Sequence, residues 1–293
     1  MDTHTLQAFV TVAESKSFSV AAEKLFLTQS AVSKRIAQLE SQLDARLFDR
    51  IGRSVKLTEA GQTLLPKAHT ILLQLDDAKR SIRNLPGTVS GTLSLAASHH
   101  ISLHRLPPIL QSYSKEFPDV DLNLRFDESE KAYDGILRGE LELALITLAP
   151  QPDENIRSTK IWQDKLRYVV ASDHPLAQKD KISLAELQLY SAILPDSNTF
   201  THQIVARQFA IEGLDLTVEM STNYLDTIRM MVSIGLGWSL LPETMIDPSL
   251  TVLNTDSEVI SRDLGYIYHR NRTLSNAAQK LVEILKDVAD GSS

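Results

Sequence analysis

The 293-residue chain contains no cysteine, which removes disulfides, thiolate metal ligands and cysteine-based redox sensing from the possibilities. It has no run of 18 apolar residues, and its start, MDTHTLQAFV, shows no basic region followed by an apolar core. Neither a membrane span nor an export leader is therefore expected, the chain is placed in the cytoplasm, and a free solute-binding protein is disfavoured. Catalytic signatures are missing as well: no G-x-S-x-G, P-loop or H-E-x-x-H occurs, and Ser98 beside His99 is a thin basis for a hydrolytic triad. No enzyme activity and no cofactor are expected.

What is present divides the chain. With 43% hydrophobic residues it is long enough for two or three compact units. Residues 1–90 hold 12 Lys and Arg against 9 Asp and Glu, a net +3, whereas residues 91–293 hold 18 against 28, a net −10. Only the front of the chain is suited to approach a polyanion such as DNA.

Residues 18–40, FSVAAEKLFLTQSAVSKRIAQLE, carry the strongest pattern. A short helix is predicted from an N-cap at Ser19 through Ala21, Ala22, Glu23 and Lys24 to Leu25, and a second from an N-cap at Thr28. Along the second, Val32, Ile36, Leu39 and Leu43 recur at steps of four, three and four and must face inward. Gln29, Ser30, Ser33, Lys34 and Ala37 fall on the other side. Amides, hydroxyls and an amine on an exposed helical face suit base edges and phosphates in a major groove. Leu6, Phe9, Val10 and Ala13 supply a third helix to close the core. Spacing alone would also fit any amphipathic helical hairpin. The following DRIGRSVKLT reads as two short arms turning at Gly52, with Arg50, Arg53 and Lys56 placed as a basic wing against sugar and phosphate or as a merely solvated hairpin.

Phe9, Ser17-Phe18, Ala21-Ala22, Leu25, Thr28 through Ser33, Ile36, Leu39-Glu40, Leu47 through Arg50, and Leu57-Thr58 through Gly61 together resemble the N-terminal signature of LysR-type transcriptional regulators. Ser30 departs from the proline common at that place. The resemblance implies sequence-specific binding of double-stranded DNA through Thr28, Gln29, Ser30, Ser33, Lys34, Arg50 and Arg53. It also implies a homo-oligomer, as a dimer of dimers, and contact with RNA polymerase.

Beyond the wing, Leu57, Gly61, Leu64, Ala68, Ile71, Leu75, Ala78, Ile82 and Leu85 alternate in steps of four and three, a heptad seam. A helix of about 26 residues capped by Thr58 and bent by Pro66 is predicted, about 39 Å long at 1.5 Å per residue, pairing with its copy in a second chain or packing on its own C-terminal unit. In the LysR type this segment is the dimerising linker.

Pro86, Gly87 and Gly91 then break the helix, and an α/β pattern follows. Strands are predicted at Leu93 to Ala97, Val120 to Phe126, Leu141 to Ile146, Leu166 to Ala171, Ser191 to Leu194, Leu216 to Met220 and Gly265 to Tyr268. Helices are predicted at Arg105 to Phe117, Tyr133 to Leu137, Thr201 to Ile211, Tyr224 to Ile234 and Ser275 to Val288. The chain crosses twice between two lobes, which resembles the bilobed, periplasmic-binding-protein-like (type II) effector domain of the LysR type. The expected fold class is thus α/β with an α-rich N-terminal winged helix-turn-helix at 1–58, a linker helix at 59–86 and an effector domain at 87–293. Lobe I comprises 91–162 and 266–293, and lobe II comprises 163–265.

Effector contacts are expected from strand ends facing the cleft: Ser98, His99, His100, Glu128, Ser129, Thr147, Asn198, Thr199, Thr222 and Asn223. Hydroxyls at helix N-termini favour an anion, and the resemblance implies a carboxylate effector, although Ser and Thr there are equally ordinary caps. His99, His100 and His104 lack the Cys or carboxylate set that would complete a metal site, and Gly235 and Gly237 lack the third glycine of a nucleotide loop. No metal is expected, and the two glycines read as a turn.

Overall fold

The computed structural model describes residues 1–51, 54–85, 87–256 and 260–289, without the side chains of residues 50, 51 and 54. Two compact units emerge, Met1–Leu85 with Asn271–Thr273, and Pro86–Arg270 with Leu274–Ser293.

The first unit runs α1 (Thr3–Ser15), α2 (Phe18–Lys24), α3 (Gln29–Leu43), an antiparallel hairpin β1 (Phe48–Ile51) and β2 (Ser54–Leu57), and α4 (Glu59–Asn84). Leu6, Phe9, Val32, Ile36, Leu39 and Leu47 are buried in one core, where the Phe48 ring lies 5.4 Å from Phe9 and 5.8 Å from Phe18. That packing explains a shift at α2. Phe18 belongs inside the first turn, so Ser17 rather than Ser19 is the N-cap, its backbone extended and its Oγ accepting from Val20 N at 3.3 Å. Thr28 caps α3 by accepting from Ala31 N at 3.2 Å. The inward stripe stops one residue early, since Leu43 is 40% exposed at the helix end, where Asp44 turns left-handed.

α4 has 26 residues with Pro66 inside it, and Thr58 caps it while donating to Arg46 O at 2.6 Å. Its seam divides: Gly61 and Ala68 are buried against the winged core, whereas Ile71, Leu75, Ala78, Ile82 and Leu85 are exposed. Gly61 is required here, because a Cβ would stand 2.3 Å from Leu47 O.

The second unit continues β3 (Gly91–Ala97), α5 (His99–His104), α6 (Leu106–Glu116), β4 (Val120–Phe126), α7 (Ser129–Leu137), β5 (Leu143–Thr147) and β6 (Ile156–Ala171). After these come α8 (Leu184–Leu187), β7 (Ala192–Leu194), α9 (Phe200–Ile211), β8 (Val218–Ser221), α10 (Leu225–Ser233), β9 (Ser239–Pro242), β10 (Leu250–Val252), β11 (Ser261–His269) and α11 (Asn276–Asp287). β6 and β11 are the frame: they pair antiparallel from Lys165/Ser261 to Ile156/His269. β5, β3 and β4 extend the sheet from β11, over a core that includes Leu93, Tyr113 and Leu281. β9 and β10 pair with the other end of β6, and the neighbouring core centres on Trp238, whose ring stacks on Phe209 at 5.8 Å. Two lobes result, sharing β6 and β11.

Several boundaries differ from expectation. The strand predicted from Leu166 begins ten positions earlier, at Ile156. The helix predicted from Arg105 to Phe117 is α6, but a further short helix, α5, precedes it, so His99 and His100 stand on a helix rather than in a loop. Gly235 does turn, at φ +83°, but Gly237 leads into strand β9, where a Cβ would lie 2.3 Å from Ser191 O.

Candidate functional site

In the first unit, burial of Val32, Ile36 and Leu39 leaves Gln29, Ser30 and Lys34 exposed on the opposite side of α3, with Ser33 half-buried between them. Thr28 and Ser30 hydroxyls lie 3.0 Å apart at the helix start. An exposed face of amide, hydroxyl and amine groups has the reach to hydrogen-bond base edges and phosphates. The β1–β2 hairpin is present beside it. Arg53 and the side chain of Arg50, expected on the wing, lie outside the described residues, while Lys56 is exposed on β2.

In the second unit, a cavity of about 440 Å³ opens between the lobes. Ser98 and His99 line it from the start of α5 with His100, Glu128 and Ser129 from the start of α7, Thr147 from the end of β5, and Thr199 from the N-cap of α9. Asn198 and Thr222 do not line it: Asn198 is exposed, and Thr222 Oγ1 turns back to accept from Tyr224 N at 3.4 Å. Ser129 Oγ accepts from Thr147 N at 3.1 Å, and Thr199 Oγ1 accepts from His202 N at 3.2 Å, so both hydroxyls are already caps or struts.

Asn223, expected from its place before a helix, lines the cavity; Glu130, Thr201 and Arg262 were not anticipated there. Arg262, on β11, donates from Nη2 to Asp164 Oδ2 on β6 at 3.0 Å and from Nη1 to Thr201 Oγ1 on α9 at 3.1 Å. His100 Nε2 lies 3.1 Å from the same Asp164 oxygen. Burial pushes the Asp164 carboxyl up, but the His100 hydrogen bond and the Arg262 charge outweigh it and hold the group at about 2. Burial, helped by the nearby Arg262, lowers His100, so its imidazole is neutral near pH 7 and serves Asp164 as an N–H donor rather than a cation.

Two contacts bridge the lobes across the cavity. Phe200 N, at the start of α9, donates to Glu130 Oε1 at 2.5 Å, and Asn223 Nδ2 donates to Glu128 Oε1 at 2.6 Å. Burial raises the Glu130 carboxyl; the Phe200 amide opposes that rise and the Glu128 charge adds to it. Sequence reasoning could have found Glu130 from its place in the first turn of α7. Arg262 and Asp164, 98 positions apart on two strands, carry no local signal.

A family model described as the LysR substrate binding domain matches residues 86–290, and one described as the bacterial regulatory helix-turn-helix protein of the lysR family matches residues 3–62. An uncharacterized HTH-type transcriptional regulator from Azotobacter vinelandii, from the ibpB-leuC intergenic region, is 64% identical over 108 residues, 37% of this chain and 75% of that protein. The uncharacterized HTH-type regulator YfeR of Shigella flexneri is 29% identical over 285 residues, 96% of this chain and 92% of its own. A full-length OxyR variant from Pseudomonas aeruginosa shares the fold, with 23% identity, a TM-score of 0.68, and coverage of 98% of this chain and 94% of that one. With a winged helix-turn-helix at one end, a two-lobed cleft at the other and a matching model for each, the chain belongs to the LysR family of transcriptional regulators, DNA-binding proteins that carry an effector-binding domain.

Proposed function

We propose that this regulator reads its operator with the exposed face of α3, through Thr28, Gln29, Ser30, Ser33 and Lys34 in a major groove, flanked by Arg50 and Arg53 of the wing on sugar and phosphate. The observation that carries this is the split of α3 into a buried stripe and an exposed polar face. The domains are assigned as 1–58 for DNA, 59–86 for pairing and 87–293 for the effector. The exposed half of the α4 seam supports a dimer, and a dimer of dimers places four such heads along the operator beside RNA polymerase. Among the described residues no helix is long and apolar enough to cross a membrane, which suits a site of action at cytoplasmic DNA.

The effector seat is the cavity between the lobes, with Ser98, His99, His100, Glu128, Ser129, Thr147 and Thr199 as its contacts, and Asn198 and Thr222 at its margin. Its occupation shifts the balance between open and closed lobes. A carboxylate effector, as the family resemblance implies, has to displace Glu130 from the Phe200 amide to reach the start of α9.

The test is immunoprecipitation of protein-bound DNA from cells carrying wild type or Lys34→Ala, followed by gel shift on the recovered site. Loss of a base contact is expected to cost about 1–3 kcal/mol of operator affinity with unchanged folding. Equal occupancy for both proteins would sink the α3 assignment.

A further inference from the structure

We propose that the effector of this cleft is a cation, a small organic amine whose ammonium group is held by Glu128, Glu130 and Asp226; this rests on the reading of the cavity as the effector seat. Four carboxylates line the cavity, Asp127, Glu128, Glu130 and Asp226, against two permanent cations, Lys131 and Arg262. Both cations are already engaged. Lys131 Nζ lies 2.8 Å from Asp127 Oδ1, and Arg262 is held by Asp164 at 3.0 Å and by Thr201. Among the described residues Glu128, Glu130 and Asp226 form no ion pair: Arg262 acts on Glu130 and Lys131 on Glu128 only through space, and the hydrogen bonds of Glu128 and Glu130 come from the Asn223 amide and the Phe200 N–H.

The helix N-termini that would welcome an anion are supplied with carboxylates from the chain itself. Glu130 sits in the first turn of α7 and also accepts from the first residue of α9, while Asp226 sits in the first turn of α10. An incoming carboxylate meets the like charges of Glu128, Glu130 and Asp226; an incoming ammonium meets three carboxylates that are in no ion pair among the described residues, in a partly desolvated space, where such pairs are strong. Glu130 agrees with this, since burial, with the neighbouring Glu128, raises its carboxyl even though the Phe200 N–H and the Arg262 charge pull the other way.

His100 adds an independent observation. It lines the cavity and is nine-tenths buried, and its Nδ1 has no hydrogen-bond partner among the described residues. With Nε2–H given to Asp164, Nδ1 is an acceptor, which suits a donor such as an ammonium. Phe126 and Tyr224, large aromatic rings exposed at the cavity, complete a seat for a cation with an apolar body.

The experiment is calorimetric titration of the full-length protein, at fixed ionic strength, with 1,4-diaminobutane and, in parallel, with butanedioate of the same chain length. The diamine is expected to bind and to raise the melting temperature. Asp226→Asn, an exposed position outside both lobe-bridging contacts, and Glu128→Gln are each expected to weaken binding by about tenfold or more, the loss of one charge-assisted contact. Butanedioate binding that Thr147→Trp abolishes, with the diamine silent, overturns the cationic class yet leaves the cleft as the effector seat. Diamine binding equally tight in Asp226→Asn, Glu128→Gln and Thr147→Trp overturns the assignment of the ammonium to this cavity. Silence of both probes overturns the cationic class, and operator release from wild type, but not Thr147→Trp, by a neutral metabolite fraction then keeps the seat.

Discussion

Asp164 and Arg262 stand opposite each other on β6 and β11, the two strands shared by the lobes, with Nη2 3.0 Å from Oδ2 and the Asp164 side chain only 1% exposed. His100 joins the same carboxylate from α5, Thr201 joins the guanidinium from α9, and Arg105 Nη2 approaches Asp164 Oδ1 at 3.7 Å. One buried charge pair therefore fixes where the frame of the second unit meets both lobes. Removing one partner leaves the other buried and uncompensated, so Asp164→Asn is expected to cost on the order of 3–5 kcal/mol. Urea denaturation measures it, and a loss below about 1 kcal/mol would contradict the role given to the pair.

The same cluster sets a pH dependence. Asp164 and His100 both have folded pKa values below their ordinary ones, so the native state binds fewer protons than the unfolded chain and stability falls on acidification. The His100 contribution is complete above its ordinary value of 6.5 and declines as pH drops through its lower native value. The Asp164 contribution declines between 3.8 and about 2. Denaturation midpoints from pH 8 to 5 are expected to fall more steeply for wild type than for His100→Gln, and parallel curves would remove His100 from the argument.

Gly265 follows the register shift on β11, and a Cβ there would stand 2.0 Å from Thr159 O. Backbone cannot yield as a side-chain tip can. Gly265→Ala is expected to destabilise by about 3 kcal/mol, at the upper end of overpacking costs, or to move the β6–β11 pairing. Thermal unfolding of the purified variant reads this directly, and a wild-type melting temperature would show that the two strands have slack at this point.

Phe26 lies in the turn between α2 and α3 with φ +54° and 95% of its surface exposed. A bulky side chain in left-handed backbone costs about 1–2 kcal/mol, and an exposed ring returns little packing. Phe26→Asn, which tolerates that conformation, is expected to stabilise the winged unit by about 1 kcal/mol and raise its melting temperature by several degrees. A destabilised variant would mean that the ring makes a contact worth more than its strain.

Much of this molecule is readable along the chain because its signals are local. Thr28, Thr58 and Ser275 act as caps as their residue types dictate, and Val32, Ile36 and Leu39 are buried as their spacing requires. At the cavity, eight of the ten expected contacts are in the lining because strand ends and helix starts converge there. What escapes is set by tertiary partners. Ser17 displaces Ser19 as a cap because Phe18 must reach Phe48, ten residues of β6 precede the alternating stretch at Leu166, and the Asp164–Arg262 pair exists only once β6 and β11 are side by side. The charge of the cleft is likewise a sum over α7, α10 and β11 that no single motif announces.

The exposed half of α4 carries the remaining prediction. Ile71, Leu75, Ile82 and Leu85 continue the heptad steps that bury Gly61 and Ala68, yet Ile82 is 69% and Leu85 81% exposed in the single chain. A regular apolar seam in water is stabilised by a second copy, knobs into holes, and one aspartate on it puts a charge into the paired interface. Ile82→Asp is expected to leave the fold of one chain intact, because that side chain is not buried within it, while weakening self-association by at least about tenfold. Sedimentation velocity across a dilution series measures the shift. Operator affinity should fall with it, since two heads on one duplex bind through an effective concentration that a lone head lacks. An Ile82→Asp protein that still sediments like wild type would move the dimer contact away from this seam, and a wild type that is monomeric at micromolar concentration would remove the need for one.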